Sequence, residues 1–318
     1  MTGRLTRRTL LAGCLGALPL VAVSCAGAAG PPGAPPSPGL SPASAPSGAG
    51  PAVAEAGRAL ADLETRFGGR LGVFALDTGS GAAIGHRADE RFPLCSTFKV
   101  LAAAAILRLR GERPGLLDQL VHYTPAQVID GSPVSGPRAA DGMTVSALCR
   151  AAIDHSDNTA ANLLLGILGG PPAVTAFAST LGDPLTRLDR TEPELNVVPP
   201  GELRDTSTPA LMAADLRALV LGDALDPAGR ELLTGWLVGI TTGGTRIRAG
   251  LPAGWRVGDK TGNGSRGEAN DLAVAWPPGR APLIISGYSV PADPAAQPNN
   301  RVLADAAAIV TKALVPAA

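Results

Sequence analysis

The sequence predicts an α+β fold in which strands near both ends of the folded domain form one antiparallel sheet, with an all-helical lobe inserted between them. Two observations support this prediction. Strand-like apolar patterns occupy residues 70–87 and 255–289, whereas residues 111–240 alternate helical stretches with Pro, Gly and Asp breaks. The chain has 318 residues, of which 45% are hydrophobic. This length suffices for a packed core and leaves one or two domains open.

The N-terminal segment, residues 1–25, is typical of a bacterial export signal. Residues 6–11 (TRRTLL) have the twin-arginine pattern, and the apolar run that follows to Val23 is too short for a spanning helix. Cys25 closes this run and resembles a lipoprotein cleavage site, which predicts its lipidation. Cys14, in the letters LAGC, fits the lipobox pattern better but leaves almost no apolar region before the cut. An ordinary secretory signal cut after Cys25 remains the alternative.

Residues 26–50 consist almost entirely of Pro, Gly, Ala and Ser. Such a composition buries too little apolar surface to offset chain entropy, so we expect a disordered tether. A tether directly after a lipidated cysteine would hold residues 51–318 away from a membrane. We therefore expect an exported monomer, either secreted or lipid-anchored at the outer face of the cell membrane.

From residue 51 onward the elements follow from the spacing of apolar residues. Helical spacing predicts an amphipathic helix at 51–67, and strand patterns at 70–77 and 82–87 flank Thr78-Gly79-Ser80-Gly81, which predicts a hairpin. The segment 97–110 is apolar on most sides, which is typical of a buried helix. The remaining predicted elements are helices at 144–155, 158–168, 172–181, 208–220 and 227–240, strands at 255–260, 268–276 and 282–289, and a final helix at 300–314.

Composition argues against several classes of partner. The formal net charge is zero, aromatic residues make up 3% of the chain, and no basic run follows the first eight residues, so we expect no nucleic-acid partner. The histidines His86, His122 and His155 lack metal-ligand spacing. We expect neither a metal site nor a cofactor.

Lys99, Lys260 and Lys312 are the three lysines among 27 basic residues, the rest being arginine. A lysine in a composition that favours arginine is a candidate for proton transfer, because arginine cannot be deprotonated in a protein. Lys99 lies three residues after Ser96 at the start of the buried helix, over the same face, and could accept the proton of the serine. The N-terminus of that helix would favour an anion forming at Ser96.

Two further polar signatures are Ser156-Asp157-Asn158 and Lys260-Thr261-Gly262. Taken alone, the first is an ordinary helix N-cap and the second a common strand-to-turn tripeptide. In order, however, the chain contains Ser-x-x-Lys, Ser-Asp-Asn and Lys-Thr-Gly. Over roughly residues 52–314 it resembles the class A serine β-lactamases, whose motif set this is. The resemblance implies a five-stranded antiparallel sheet with flanking terminal helices, an α/β part at about 51–95 and 241–318, and a helical part at about 96–240.

A fourth segment, residues 187–196 (RLDRTEPELN), resembles the Ω-loop of class A enzymes. The resemblance implies that Glu192 and Asn196 hold the deacylating water, and that Arg190 and Asp205 close the neck of the loop. This segment argues against the nearest alternative, a penicillin-binding D-Ala-D-Ala carboxypeptidase. It also argues against a β-lactam-binding lipoprotein that stays acylated, although a displaced loop would permit one.

The resemblance implies hydrolysis of the β-lactam amide of penicillin- or cephalosporin-type antibiotics through an acyl-serine at Ser96. Lys99, or Glu192 through a water, would take the serine proton, and the sequence leaves the choice open. The resemblance also implies that the backbone N–H groups of Ser96 and Asn263 stabilise the oxyanion and that Ser156 protonates the leaving nitrogen. Asn158 would bind the side-chain amide of the substrate and help to place Lys99. The remaining substrate-binding residues, which chiefly contact the carboxylate, would be Lys260, Thr261, Gly262, Asn263, Ser156 and Arg246.

Three departures from the family pattern stand out. Gly131 replaces the usual aromatic residue before Ser132-Pro133, so we expect an open cleft entrance, weaker substrate binding and a lower KM in Gly131→Tyr. Cys95 precedes the nucleophile as in some carbapenem-hydrolysing relatives, but no partner cysteine follows Lys-Thr-Gly. Cys149 occupies a place where some relatives pair with a cysteine in the helix of the nucleophile, and the matching position here is Ala103. We therefore expect Cys95 and Cys149 to be free thiols.

Overall fold

The computed structural model describes residues 50–315. The predicted export signal, the lipidated Cys25 and nearly all of the predicted tether lie outside the described residues. The described strands are β1 (Gly69–Asp77), β2 (Ala83–His86), β3 (Phe92–Pro93), β4 (Leu120–Val121), β5 (Met143–Thr144), β6 (Thr206–Ser207), β7 (Arg256–Asn263), β8 (Ala269–Trp276) and β9 (Leu283–Pro291). The α-helices are α1 (Pro51–Phe67), α2 (Phe98–Leu109), α3 (Val145–Asp154), α4 (Asn158–Leu168), α5 (Pro172–Thr180), α6 (Pro209–Val220), α7 (Pro227–Val238) and α8 (Asn300–Leu314).

The main sheet has five antiparallel strands in the order β2-β1-β9-β8-β7. Strands β1 and β9 pair along their whole length, from Gly69 opposite Pro291 to Asp77 opposite Leu283. This pairing joins the beginning and the end of the folded domain in one sheet. The predicted α+β class and the five-stranded antiparallel sheet are confirmed.

Both faces of the sheet are covered. In β9, Leu283 and Ile285 pack with α1 and α8, whereas Ile284 and Tyr288 point toward the helical lobe, as side chains alternate along a strand. Helix α2 is the centre of that lobe, and ten of its twelve residues are buried. Its apolar character on all sides, seen in the sequence, results from this position.

Helix boundaries follow local capping. Thr144 accepts a hydrogen bond from Ala147 N at the start of α3, and Asp157 accepts one from Ala160 N at the start of α4. Helix α1 ends at Gly68, which has a left-handed φ of 70°. Every predicted long helix is present, with its ends within two residues of the predicted positions.

The structure differs from the prediction at two places. Strand β7 does not end at Lys260 but continues to Asn263, because residues 260–263 keep pairing with residues 269–272 of β8. The pairs β3–β6 and β4–β5, of two residues per strand, were not predicted. No single helix within residues 50–315 is both long and apolar enough to cross a membrane, and α4 with α5 meets the length and apolarity criteria only as a pair bent by 73°.

Candidate active site

Ser96 lies in a short 3-10 turn, Cys95–Thr97, that leads directly into α2. Its side chain is nearly buried, and Cys95 before it has a left-handed φ of 46°. Strand β7 passes close by at Gly262, where a Cβ atom would lie 3.0 Å from Cys95 Cβ and 3.1 Å from Ser96 N. The glycine of the Lys-Thr-Gly motif therefore lets this strand approach the serine without displacing its backbone.

Lys99 is fully buried beneath Ser96. Its Nζ donates to Ser156 O at 2.7 Å and Asn158 Oδ1 at 2.7 Å, and lies 2.9 Å from Glu192 Oε1. Burial lowers the pKa of Lys99, and the Glu192 carboxylate opposes this shift. The structure thus brings Lys99 and Asn158 together as the sequence predicted.

Glu192 reaches the nucleophile from the Ω-loop. Its Oε1 accepts a hydrogen bond from Ser96 Oγ at 3.2 Å, and its Oε2 accepts one from Asn196 Nδ2 at 2.5 Å. Glu192 and Asn196, the two residues to which the resemblance assigns the deacylating water, therefore contact each other directly. The Glu192–Pro193 peptide bond is cis.

Asn162 holds the main chain of Glu192, and sequence reasoning missed it. Its Oδ1 accepts from Glu192 N at 2.9 Å, and its Nδ2 donates to Glu192 O at 2.8 Å. Asn162 lies one turn after Asn158 on α4, so the two amides share one helix face. A polar residue at that spacing in an otherwise apolar helix was the available signal.

Arg190 and Asp205 join the two ends of the Ω-loop, as predicted. Arg190 Nε donates to Asp205 Oδ2 at 2.6 Å, and Asp205 Oδ1 accepts from the backbone N–H groups of Asp189 and Arg190. The Asp205 carboxylate is fully buried. This pairing fixes the chain on either side of the segment that carries Glu192.

Ser156 lies in a left-handed turn between α3 and α4, with φ of 56°. Its Oγ accepts from Lys260 Nζ at 2.9 Å and lies 3.5 Å from Lys99 Nζ. Asp157 fixes the facing loop by accepting from Val134 N and Ser135 N, both at 2.9 Å. The Ser-Asp-Asn segment is thus more than a helix cap.

Lys260 is fully buried and donates to Ser156 Oγ. Burial lowers its pKa well below the usual range, and the positive charges of Lys99 and Arg246 act in the same direction. Thr261 Oγ1 lies 2.6 Å from Thr242 Oγ1. The side-chain nitrogens of two lysines, Lys260 and Lys99, therefore meet at one hydroxyl, Ser156 Oγ.

Arg246 is buried at the end of β7 and is largely engaged by the protein. Its guanidinium donates to Asn300 Oδ1 at 2.9 Å, to Gly262 O at 2.8 Å, to Asn270 O at 2.6 Å and to Asn263 Oδ1 at 2.5 Å. Arg246 thus supports the strand that carries the Lys-Thr-Gly motif while it lines the same cleft. Asn300, its side-chain partner from α8, was not found from the sequence.

These elements enclose an open cleft of about 890 Å³. The predicted site residues that line it are Ser96, Ser156, Asn158, Asn196, Arg246, Thr261, Gly262 and Asn263. Lys99, Glu192 and Lys260 are buried next to these residues and contact them through the hydrogen bonds described above. The arrangement can take a proton from Ser96, pass one to Ser156 and hold an anion near Thr261.

The structure corrects the proposed use of Gly131. Gly131 has a left-handed φ of 76°, and a Cβ atom there would lie 2.6 Å from Asn158 Nδ2. Any side chain would strain the loop and displace Asn158, so Gly131→Tyr is not a clean test of the open entrance. A change in the KM of this variant would reflect the displacement of Asn158 as well as the shape of the entrance. The entrance itself is open at this glycine, which is exposed at the rim of the cleft.

Within the described part of the chain, Cys95 and Cys149 are buried free thiols, as predicted. Burial raises the pKa of both. A thiol whose thiolate is disfavoured is a poor nucleophile, so neither cysteine competes with Ser96 for chemistry.

Known proteins share both this sequence and this geometry. The model of the β-lactamase enzyme family matches residues 55–314. A β-lactamase of Nocardia asteroides, AST-1, is 56% identical over 254 residues, which are 80% of this chain and 82% of that protein.

The chain belongs to the class A β-lactamase family.

Solved structures agree. The class A β-lactamase from Mycobacterium abscessus has a TM-score of 0.79 and 53% sequence identity, covering 81% of this chain and 98% of its own. The β-lactamase from Streptosporangium roseum has a TM-score of 0.81 and 52% identity, covering 82% and 98%. As a class A β-lactamase the chain is a hydrolase, which confirms the family and the enzyme class predicted from the motifs.

Proposed function

We propose that this β-lactamase hydrolyses the cyclic amide of penicillin- and cephalosporin-type antibiotics through an acyl-serine at Ser96. The observation that carries this proposal is the convergence of Ser96 Oγ and Lys99 Nζ on one oxygen, Glu192 Oε1. A hydroxyl is a weak nucleophile until a base takes its proton. Here a carboxylate accepts the hydrogen bond of the hydroxyl, and an amine contacts the same carboxylate oxygen.

In the acylation step, Ser96 Oγ attacks the lactam carbonyl carbon while its proton leaves for a base. The hydrogen bond from Ser96 to Glu192 supports Glu192 as the first proton acceptor. Lys99 is the alternative, because burial lowers its pKa and makes the neutral amine accessible. The backbone N–H groups of Ser96 and Asn263 are our candidates for the oxyanion donors, each typically worth a factor of about 10²–10³ in rate.

The lactam C–N bond then breaks, and the nitrogen needs a proton. Ser156 is our candidate donor, because its Oγ accepts from Lys260 Nζ and lies beside Lys99 Nζ. A proton taken from Ser96 can return through Lys99 and Ser156 to the nitrogen. The product of this half-reaction is the ring-opened acyl-enzyme.

Deacylation requires a water activated on the Ω-loop side. Glu192 is our candidate base, with Asn196 as the second group that orients the water. Arg190 and Asp205 keep the loop in place for this step. Water adds to the ester carbonyl, the C–Oγ bond breaks, and Ser96 recovers its proton.

For substrate binding, the carboxylate would lie against Lys260, Thr261, Ser156 and Arg246, where cations and hydroxyls meet. Asn158, with Nδ2 donating to Asp130 O and Oδ1 engaged by Lys99, would meet the side-chain amide of the antibiotic. No cofactor enters this scheme.

We further propose that the enzyme is exported as a monomer and held at the outer face of the cell membrane through Cys25. The motif in residues 6–11 and the tether composition of residues 26–50 support this. Globomycin-sensitive palmitate labelling of the full chain, lost in Cys25→Ala but retained in Cys14→Ala, tests the anchor.

The function is tested by following ring opening of excess benzylpenicillin over many enzyme equivalents. Continued turnover that is lost in Ser96→Ala supports the β-lactamase activity. A single stoichiometric burst in the wild-type protein would favour a β-lactam-binding protein. Release of D-Ala from a D-Ala-D-Ala peptide without β-lactam turnover would favour the carboxypeptidase.

A further inference from the structure

Behind the Ω-loop, away from the catalytic cleft, lies a second cavity of about 460 Å³. One wall is the loop segment from Val198 to Glu202, and the other is the edge formed by the start of β1 and the end of β9. Three arginines, Arg70, Arg91 and Arg266, line it together with a single carboxylate, that of Glu202.

Two of the four charged residues in the walls, Arg70 and Glu202, are already paired with opposite charges. Arg70 pairs with Glu90 at 2.8 Å and stacks on the Phe92 ring, 4.5 Å from its centroid. Glu202 Oε2 accepts from Arg204 Nε and Nη2, and its Oε1 accepts from two backbone N–H groups. The carboxylate is therefore occupied by Arg204 and does not neutralise the arginines across the cavity.

Arg91 and Arg266 remain uncompensated. Arg91 Nη1 donates to Leu185 O and Thr206 Oγ1, both at 2.9 Å and both neutral. The Arg266 guanidinium has no hydrogen-bond or ion-pair partner among residues 50–315, although the residue is partly buried. The cavity thus faces two positive charges, while its one carboxylate, that of Glu202, is paired with Arg204.

From this geometry we propose that the cavity is a binding site for a small phosphate-type oxyanion, inorganic phosphate or a phosphomonoester, held by Arg91 and Arg266. Guanidinium groups match the oxygens of such anions in a bidentate manner, and a concave surface of one sign concentrates them. The cavity volume is large enough for inorganic phosphate and for a small phosphomonoester. The anion would bridge the Ω-loop segment and the edge of the main sheet.

An anion that bridges the Ω-loop segment and the sheet edge should stabilise the folded protein. A ligand that binds only the folded state raises Tm, and here it would also restrain residues 198–202 against the sheet. Arg266 follows Ser265, whose N–H donates to Asn196 O at 3.0 Å, so the arginine belongs to the turn that contacts the catalytic loop.

The test is titration calorimetry of the whole chain with inorganic phosphate, at an ionic strength held constant with sodium chloride. Glycerol 1-phosphate provides the phosphomonoester arm. We expect saturable one-to-one binding that Arg266→Gln weakens at least tenfold. The matched control is Arg113→Gln, which removes one charge from an exposed arginine elsewhere, and should change the affinity less than twofold.

A second variant should increase the affinity for phosphate instead of lowering it. Glu202→Gln removes the one carboxylate in the wall and should tighten phosphate binding, with a larger phosphate-induced rise in Tm. These readouts do not depend on β-lactam turnover, so the proposal can fail while the proposed function stands. Equal affinities in wild type and Arg266→Gln, or chloride acting as well as phosphate, would overturn it.

Discussion

Lys99 Nζ lies 2.9 Å from Glu192 Oε1, and both side chains are completely buried. Removing two charges from water is costly, and the pair is tolerated because other groups share the contacts. Lys99 also donates to a main-chain carbonyl and to Asn158, while Glu192 also accepts from Ser96 and Asn196. The pair is therefore a proton-transfer centre connected directly to the nucleophile.

We expect substrate binding to weaken at high pH because Lys260 loses its positive charge. Burial, Lys99 and Arg246 place its pKa well below the usual lysine range. Raising the pH through that lowered pKa removes the ammonium charge, so the substrate carboxylate loses attraction and KM rises. Above that lowered pKa we expect KM for benzylpenicillin to rise about tenfold per unit of pH, since each unit depletes the charged form tenfold.

Lys260→Arg is the control, because a guanidinium stays protonated over this range. Its KM should change little with pH, even if its absolute value differs from that of the wild type. Parallel KM profiles in the two proteins would show that Lys260 does not carry the charge that binds substrate.

Much of this architecture could be predicted from the sequence, because it depends on local spacing. The long helices and the strands of the main sheet have apolar periods that read directly as amphipathic or buried elements. The pairs β3–β6 and β4–β5 could not be predicted, because two residues per strand establish no period.

The residues of the site likewise divide into those that local sequence motifs reveal and those that depend on tertiary contacts. Ser96, Lys99, Ser156 and Lys260 belong to short contiguous motifs, which the sequence displays. Residues that act through a distant partner, such as Asn300 on Arg246, depend on tertiary contacts across 54 positions. Gly131 illustrates a further limit, since its left-handed φ and its contact with Asn158 appear only in three dimensions.

We expect Arg190 and Arg187, two arginines of one loop, to contribute unequally to the free energy of unfolding. Arg190→Ala leaves the buried Asp205 carboxylate without its ion-pair partner, which typically costs on the order of 3 kcal/mol in unfolding free energy. Arg187→Ala removes a partly exposed pair with Asp189 and should cost much less than Arg190→Ala. Urea unfolding of both variants measures the difference, and equal losses would contradict this assignment of the loop neck.

The same Arg190→Ala variant should also accumulate acyl-enzyme with benzylpenicillin, because the loop that carries Glu192 is released. Arg187→Ala should not. Rapid quench of both variants at steady state gives the acylated fraction directly.

We expect the contribution of Asp215 to the stability of the fold to decline as the pH rises. Burial, and the nearby Asp183 carboxylate, raise its pKa to about 9, and its Oδ2 has no hydrogen-bond partner among the described residues. The unfolded state ionises near the ordinary aspartate pKa, so folding takes up a proton between the two values. This group therefore stabilises the folded state least at high pH: its contribution declines from about pH 4 to about pH 9.

Asp215→Asn removes that proton uptake while keeping a donor toward Asp183. We expect the variant to gain stability relative to the wild type as pH rises, by up to about 4 kcal/mol between pH 5 and pH 8. Urea unfolding at the two pH values measures this gain. A pH-independent difference would mean that Asp215 is ionised in the folded protein.

The most direct test of the mechanism is mass spectrometry of Glu192→Gln after mixing with benzylpenicillin. The amide keeps the size of the side chain but cannot act as a base, so deacylation should slow by about 10²–10⁴-fold. Acylation still proceeds in this variant, because Lys99 is the alternative acceptor of the Ser96 proton. Glu194→Gln, two residues away and exposed, is the matched control and should turn over like the wild type. We predict a long-lived adduct of one benzylpenicillin on the peptide that contains Ser96. Rapid turnover by Glu192→Gln, or an adduct on another residue, would contradict the account.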